Sequence, residues 1–149
     1  MNEITIECVT ASVGEQLFGL PIARAQDVFV VDRLTRVPLA APEIAGVLNL
    51  RGRIVTAIDL RRRFGLAEST EDRRRMAIGI EHKGESYGLL IDAIGEVMKL
   101  PCAEREDNPI NLEPRLARVS AGVHRLDDRL LVVLDVDRVL DIGSHAQAA

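Results

Sequence analysis

Short apolar runs, some alternating with polar positions and some continuous, recur along this chain at intervals of roughly ten residues, and Gly, Pro or Asp pairs break them. This is the sequence form of a small β-barrel: a strand buries every second side chain, and its turns need residues that tolerate special backbone angles. Alternation predicts a strand over 4–13, a turn at Gly14-Glu15 and a returning strand over 16–20, followed by a strand with β-branched residues over 25–31. Pro38 and Pro42 then interrupt the pattern, because each removes a backbone donor and favours an extended residue before it, and a short helical turn is expected over 42–45. Strands over 47–50 and 54–59 make a hairpin about Arg51-Gly52; 60–64 reads as one helical turn closed by Gly65, and 67–72 as a polar loop. Further strands are predicted over 75–81, 86–91 and 95–100, the first two joined by Lys83-Gly84. The stretch 101–114, with three prolines and several acids, is expected to be the longest irregular connection, and 119–125 and 129–136 to form a last hairpin about Asp127-Asp128.

An internal repeat organises these elements. Phe18-Gly19-Leu20-Pro21-Ile22 followed by Asp27-Val28 matches Tyr87-Gly88-Leu89-Leu90-Ile91 followed by Glu96-Val97, without a gap. Gly46-Val47-Leu48-Asn49-Leu50, then Arg53-Ile54 and Ile58-Asp59, matches Gly122-Val123-His124-Arg125-Leu126, then Arg129-Leu130 and Leu134-Asp135. The matches come in the same order in both halves, which predicts two small barrels of similar strand order, each too small to hide its apolar faces alone and packed on the other across a shared core. Gly19 and Gly88, each after an aromatic residue inside a strand pattern, are expected at bulges or tight corners.

Composition narrows the class. Apolar residues make up 47% of the 149 and aromatics only 3%, so the core is aliphatic and the chain globular. No apolar run approaches the roughly 18 residues that cross a bilayer, and MNEITIE lacks the basic start and apolar segment of a signal peptide, so cytoplasmic residence is expected. Cys8 and Cys102 lie far apart with no ligand spacing around them; Cys8 reads as a small core hydrophobe, and neither metal nor cofactor is expected. The net charge of -4 argues against a general nucleic-acid binder, although residues 51–75 hold eight arginines against four acids. The run Arg61–Arg63 reads first as a solvated turn, then as a partner contact, and last as a phosphate patch. A small Arg-rich nucleic-acid-binding barrel is therefore the alternative class.

Candidate chemistry is thin. His82, His124 and His145 are scattered, and neither a nucleophile elbow nor a glycine-rich phosphate loop is found. Asp59 and Asp135, at corresponding strand ends, read as caps of the helical turns that follow them. Gly52 is expected at positive φ in a two-residue hairpin loop, which holds Arg51 at a rigid tip where its guanidinium can meet a carboxylate of this chain or of a partner. Binding is thus favoured over catalysis.

Val37-Pro38, Pro42, Gly46-Val47-Leu48-Asn49-Leu50-Arg51-Gly52, Ile58-Asp59-Leu60 and Phe64-Gly65 resemble the signature of the CheW-like family, the chemotaxis coupling proteins and the matching regulatory domain of the kinase CheA. The later half matches too, in Gly88, in Ile91 to Val97 and over 130–140. The resemblance implies an all-β fold of two five-stranded, SH3-like barrels with short helical turns. A single domain over 1–149 is expected, with interleaved subdomains: about 16–81 for the first barrel, and 85–141 plus the N-terminal strand for the second. It also implies a non-enzymatic scaffold, monomeric when free, that joins the histidine kinase CheA to the cytoplasmic tips of methyl-accepting receptors without nucleic acid or membrane insertion. Receptor binding would use the seam between barrels. It carries over to Arg51, Asp27, Ala25, Asn49 and Gly52, and kinase binding to Leu48, Ile54 and Val55. Three departures bear on contact details: Asp27 where the family more often has Glu, Ala25 in place of a larger β-branched residue, and Thr56 where Pro is common.

Overall fold

The computed structural model describes residues 3–67 and 75–142. These form ten strands and three short helices: β1 (Thr5–Val13), β2 (Gln16–Pro21), β3 (Asp27–Val31), β4 (Ile44–Leu50), β5 (Arg53–Asp59), α1 (Leu60–Arg63), β6 (Arg75–His82), β7 (Glu85–Ile91), β8 (Ala93–Pro101), α2 (Pro114–Val119), β9 (Ser120–Arg125), β10 (Leu130–Leu134) and α3 (Val136–Leu140). From residue 68 on, the polar loop expected over 67–72 lies outside the described residues, as does His145.

The strands pair into two five-stranded sheets, ordered β8-β1-β2-β10-β9 and β3-β6-β7-β5-β4. Shifting each strand number by five turns one order into the other, so each sheet joins the leading hairpin of one half to the last three strands of the other. The division expected at 16–81 and at 85–141 plus the N-terminal strand thus shifts by two strands, β2 going with β1 and β7 with β6. β2 stays with β1 across their tight turn and accepts β10 in parallel, while β7 stays with β6 and accepts β5. The repeat survives the exchange at the level of register. Val132 pairs with Phe18 and Val133 with Gly19; the matching pairs in the other sheet are Thr56 with Tyr87 and Ala57 with Gly88.

The bulges lie elsewhere than expected. Gly19 and Gly88 sit in unbroken ladders, where a Cβ would come within 3.2 Å of Cys8 and of the Phe29 ring respectively, so glycine there makes room for the barrel interiors. Register shifts fall instead at the equivalent Gly46 and Gly122, with φ of 154° and 131°, and between Val9 and Ala11 where β1 meets β8. An added Cβ on Gly46 would lie 2.6 Å from the Thr35 carbonyl oxygen, which is bridged to this strand through Val47.

Apolar packing falls into three clusters. The largest draws Phe18, Leu20, Val132 and Leu134 from one sheet and Ile58, Ile78, Ile80 and Leu89 from the other, and Phe64 meets Phe18 edge to face at 5.7 Å. The opposite faces of the sheets each hold a smaller cluster: Phe29, Val31, Val55, Ala57, Ala77 and Leu90 in one, Cys8, Leu100, Leu131 and Val133 in the other. Burial raises the Cys8 thiol to about 11, in keeping with an inert core residue.

Both expected caps form. The Arg62 N–H donates to Asp59 Oδ1 and the Arg138 N–H to Asp135 Oδ1, at 3.3 and 3.2 Å. Asp59→Ala and Asp135→Ala are each expected to lower stability by about 1 kcal/mol, read as the shift of a urea unfolding midpoint. α2 was not anticipated, although Pro114 at its first turn, Glu113 accepting from the Arg115 N–H, and buried Leu116 and Val119 three apart form a legible helix start. The helical turn expected over 42–45 is instead a turn at 42–43 leading into β4, because Ile44 is drawn into the ladder opposite Ile58.

The run Arg61–Arg63 is not a solvated turn. Arg61 Nη2 donates to Asp92 Oδ2 at 2.5 Å, and the same oxygen accepts the Gly14 N–H from the turn of the other sheet. Arg63 Nη2 donates to the carbonyls of Arg138 and Asp141, and its Nε to that of Val139, closing the C-terminal end of α3. These arginines clamp one unit to the other, which removes Arg61 and Arg63 from the candidate phosphate contacts. A charge-inverted counterpart lies at the pseudo-equivalent place, where Asp137, second in α3 as Arg61 is in α1, pairs with Arg24 at 3.1 Å.

Candidate docking site

The β4–β5 hairpin closes with Leu50 directly opposite Arg53, leaving a two-residue loop with φ of 54° at Arg51 and 82° at Gly52. Positive φ at both positions is the backbone of a type I′ turn, whose twist matches that of the strands. Asn49 Oδ1 accepts the Gly52 N–H at 2.9 Å, so Asn49 shapes the turn while staying exposed. The Arg51 side chain is 79% exposed, with Nη1 3.9 Å from Asp27 Oδ2. At that distance and exposure the pair contributes at most about 1 kcal/mol, which leaves the guanidinium available to a partner.

Asp27 reaches this position because it pairs with Gly79 on β6, where a Cβ would run into its carboxylate. Between Asp27 and Arg51 lies a groove of ≈ 210 Å³, its rim set by Gln26, Arg53, Ser86 and Tyr87 and its apolar lining including Phe29, Leu50 and Val55. Tyr87 donates its hydroxyl to Glu85 Oε2 at 2.8 Å, and burial together with that carboxylate pushes the phenol up to about 12, so it stays a neutral donor. The lining comes from β3 to β7 and their connections, which are parts of a single sheet. The Arg51 groove is therefore the mouth of one unit and not the seam between two.

The remaining anticipated residues divide. Ala25 is half-buried and packs on the shared core. A Cβ on Gly52 would meet nothing within 4 Å, so its role is the backbone angle. Ile54 is 61% exposed but Val55 only 3%, since neighbours in a strand face opposite ways; Leu48 packs half-buried against the same interior cluster as Val55. Of the three proposed kinase contacts, Ile54 presents the open surface.

Sequence reasoning passed over the aliphatic side chains left open on the edge strands. Val28 and Val30 on β3 are 42% and 47% exposed, and Ile94 and Val97 on β8 are 38% and 50%. Val28 and Val97 are partners in the repeat, so each sheet carries an apolar residue at the same place on its outer strand. The available signal was the run Val28-Phe29-Val30-Val31, apolar on both faces where a half-buried strand would alternate.

The family model for the CheW-like domain matches residues 7–143. The chain is 25% identical over 139 residues to a chemotaxis protein CheW of Helicobacter pylori, covering 93% of this chain and 84% of that one. It is 29% identical over 132 residues to a chemotaxis protein CheW of Bacillus subtilis, covering 88% and 84%. Among solved structures, the scaffolding protein TtCheW of Thermoanaerobacter tengcongensis superposes with a TM-score of 0.78 at 27% identity, over 91% of this chain and 87% of that one.

Proposed function

The chain belongs to the CheW-like domain family of chemotaxis scaffolds, and from that premise we propose that it is a non-enzymatic adaptor joining the histidine kinase CheA to the tips of methyl-accepting chemoreceptors in the cytoplasm. No helix among the described residues is long and apolar enough to cross a membrane. The observation that carries the reading is the exposed aliphatic side chains of β3, on the strand whose first residue, Asp27, faces a guanidinium held on a rigid turn. To fit this surface, a helical receptor tip would have to offer an apolar stripe flanked by carboxylates. The stripe would cover Val28 and Val30, which share one face of β3 next to Asp27, and Arg51 would set register through charge-assisted hydrogen bonds. The regulatory domain of the kinase would take the outer face of the β4–β5 hairpin at Ile54. Signalling would then be a change in the relative placement of two partners, with no reaction in this chain.

Arg51→Gly gives the cleanest test, because glycine accepts the left-handed backbone and removes only the side chain. Affinity for an immobilised receptor signalling fragment is expected to fall about tenfold, in proportion to one charge-assisted contact, with the urea midpoint unchanged. Asp27→Ala is expected to weaken binding in the same direction. Full retention by both variants would refute the assignment of this groove to the receptor.

A further inference from the structure

His124 lies on β9 opposite Leu131, whose side chain packs with Cys8, Leu100 and Val133, so the imidazole shares the inner face of that sheet. It is 3% exposed, and its Nε2 has no hydrogen-bond partner among the described residues. In the other sheet the repeat puts Leu48 at this position, an aliphatic that needs no partner. The groups facing His124 come from the segment after β8: Arg105, whose own Nε is buried without a partner, and Glu104 and Glu106. The Glu106 carboxylate already accepts from Arg125 Nε at 3.1 Å, and the Cys8 thiol on β1 is held neutral by burial. Burial, with Arg105 second, holds the imidazole below its ordinary range, and the two glutamates only partly oppose this. A proton arriving on His124 would thus be buried beside a guanidinium without an acceptor.

The mechanical setting makes that charge consequential. β9 is the outer strand of its sheet, hydrogen-bonded to β10 on one side and held on the other by the bridge between Val123 and Glu106. Edge strands and bridged loops open at lower cost than the sheet centre. We propose that β9 and the segment around Arg105–Glu106 form an acid-sensitive flap, released from the sheet edge when His124 takes up a proton.

The sign follows from linkage. The closed state resists the proton and the open state binds it at the ordinary value of 6.5, so closure is fully favoured above 6.5 and weakens as pH falls below it. At pH 5.5 the opening equilibrium should be larger than at pH 7.5, with about tenfold as the upper limit set by the open state's ordinary value. Hydrogen-exchange protection factors of the full chain, corrected for intrinsic exchange, test this. The amides of Val123, Glu106 and their neighbours are expected to lose protection several-fold, up to about tenfold, across that range while those of β6 and β7 hold. In His124→Leu, which copies the other sheet, the pH dependence should vanish. An NMR titration of the His124 imidazole in the unmodified chain decides the matter even if that variant does not fold, and a midpoint at or above 6.5 overturns the proposal. Uniform loss of protection in both sheets, or the same loss in His124→Leu, would overturn it equally.

Discussion

Phe64→Ala is expected to cost about 3–5 kcal/mol, the largest stability loss of any single change considered for this chain. Phe64 is 0% exposed, ends α1, and presents its ring edge-on to Phe18 with planes 77° apart. Phe18 belongs to the sheet built on β1 and β2, whereas α1 continues from β5 of the other sheet. The pair thus joins the two units at the centre of the shared cluster, and aromatic residues are only 3% of the chain, so few comparably large side chains are available to fill the space. Surrounding aliphatics held in ladders cannot collapse into the cavity, which puts the loss at the upper end for a core truncation. Against a total stability of about 5–15 kcal/mol, this leaves a marginal fold. Urea unfolding should show the midpoint lowered accordingly; a loss under about 1 kcal/mol would mean that the two sheets do not depend on this contact.

Val28→Asp combined with Val30→Asp should abolish capture of a receptor fragment while leaving the fold intact. Both side chains are nearly half exposed on the same outer strand, where a charge is well tolerated and the stability change should stay within about 0.5 kcal/mol per site. Under a docked helix the same carboxylates would be desolvated without partners, at several kcal/mol, and affinity should fall by about a hundredfold or more. Titration calorimetry against a receptor signalling fragment measures this directly. Undiminished affinity would move the receptor site off β3, and Arg51→Gly then reports separately on the groove.

Much of the fold was legible in residue order. Alternation placed the strands to within a few residues, the caps at Asp59 and Asp135 formed, and Arg51-Gly52 adopted the positive φ of its turn. The site was legible only in part. Arg51 and Asp27 stood out in the sequence and the structure brings them to one groove, but Val55 turns inward, the groove lies within one unit, and the exposure of the aliphatics on β3 was not foreseen. α2 escaped because its start signal, Pro114 after Glu113, closes the proline-rich stretch that reads as an irregular connection.

Residue order by itself determined where strands start and stop, which turns are tight, and that the chain carries two copies of one pattern. These depend on backbone sterics and on alternation between near neighbours, which are local. Only the tertiary structure decided that each sheet borrows a hairpin from the opposite half, and that Arg61 and Arg63 clamp the units instead of facing solvent. Two repeats with the same apolar faces and register fit either partner equally well at the level of a strand, so the choice rests on contacts between residues far apart in the chain.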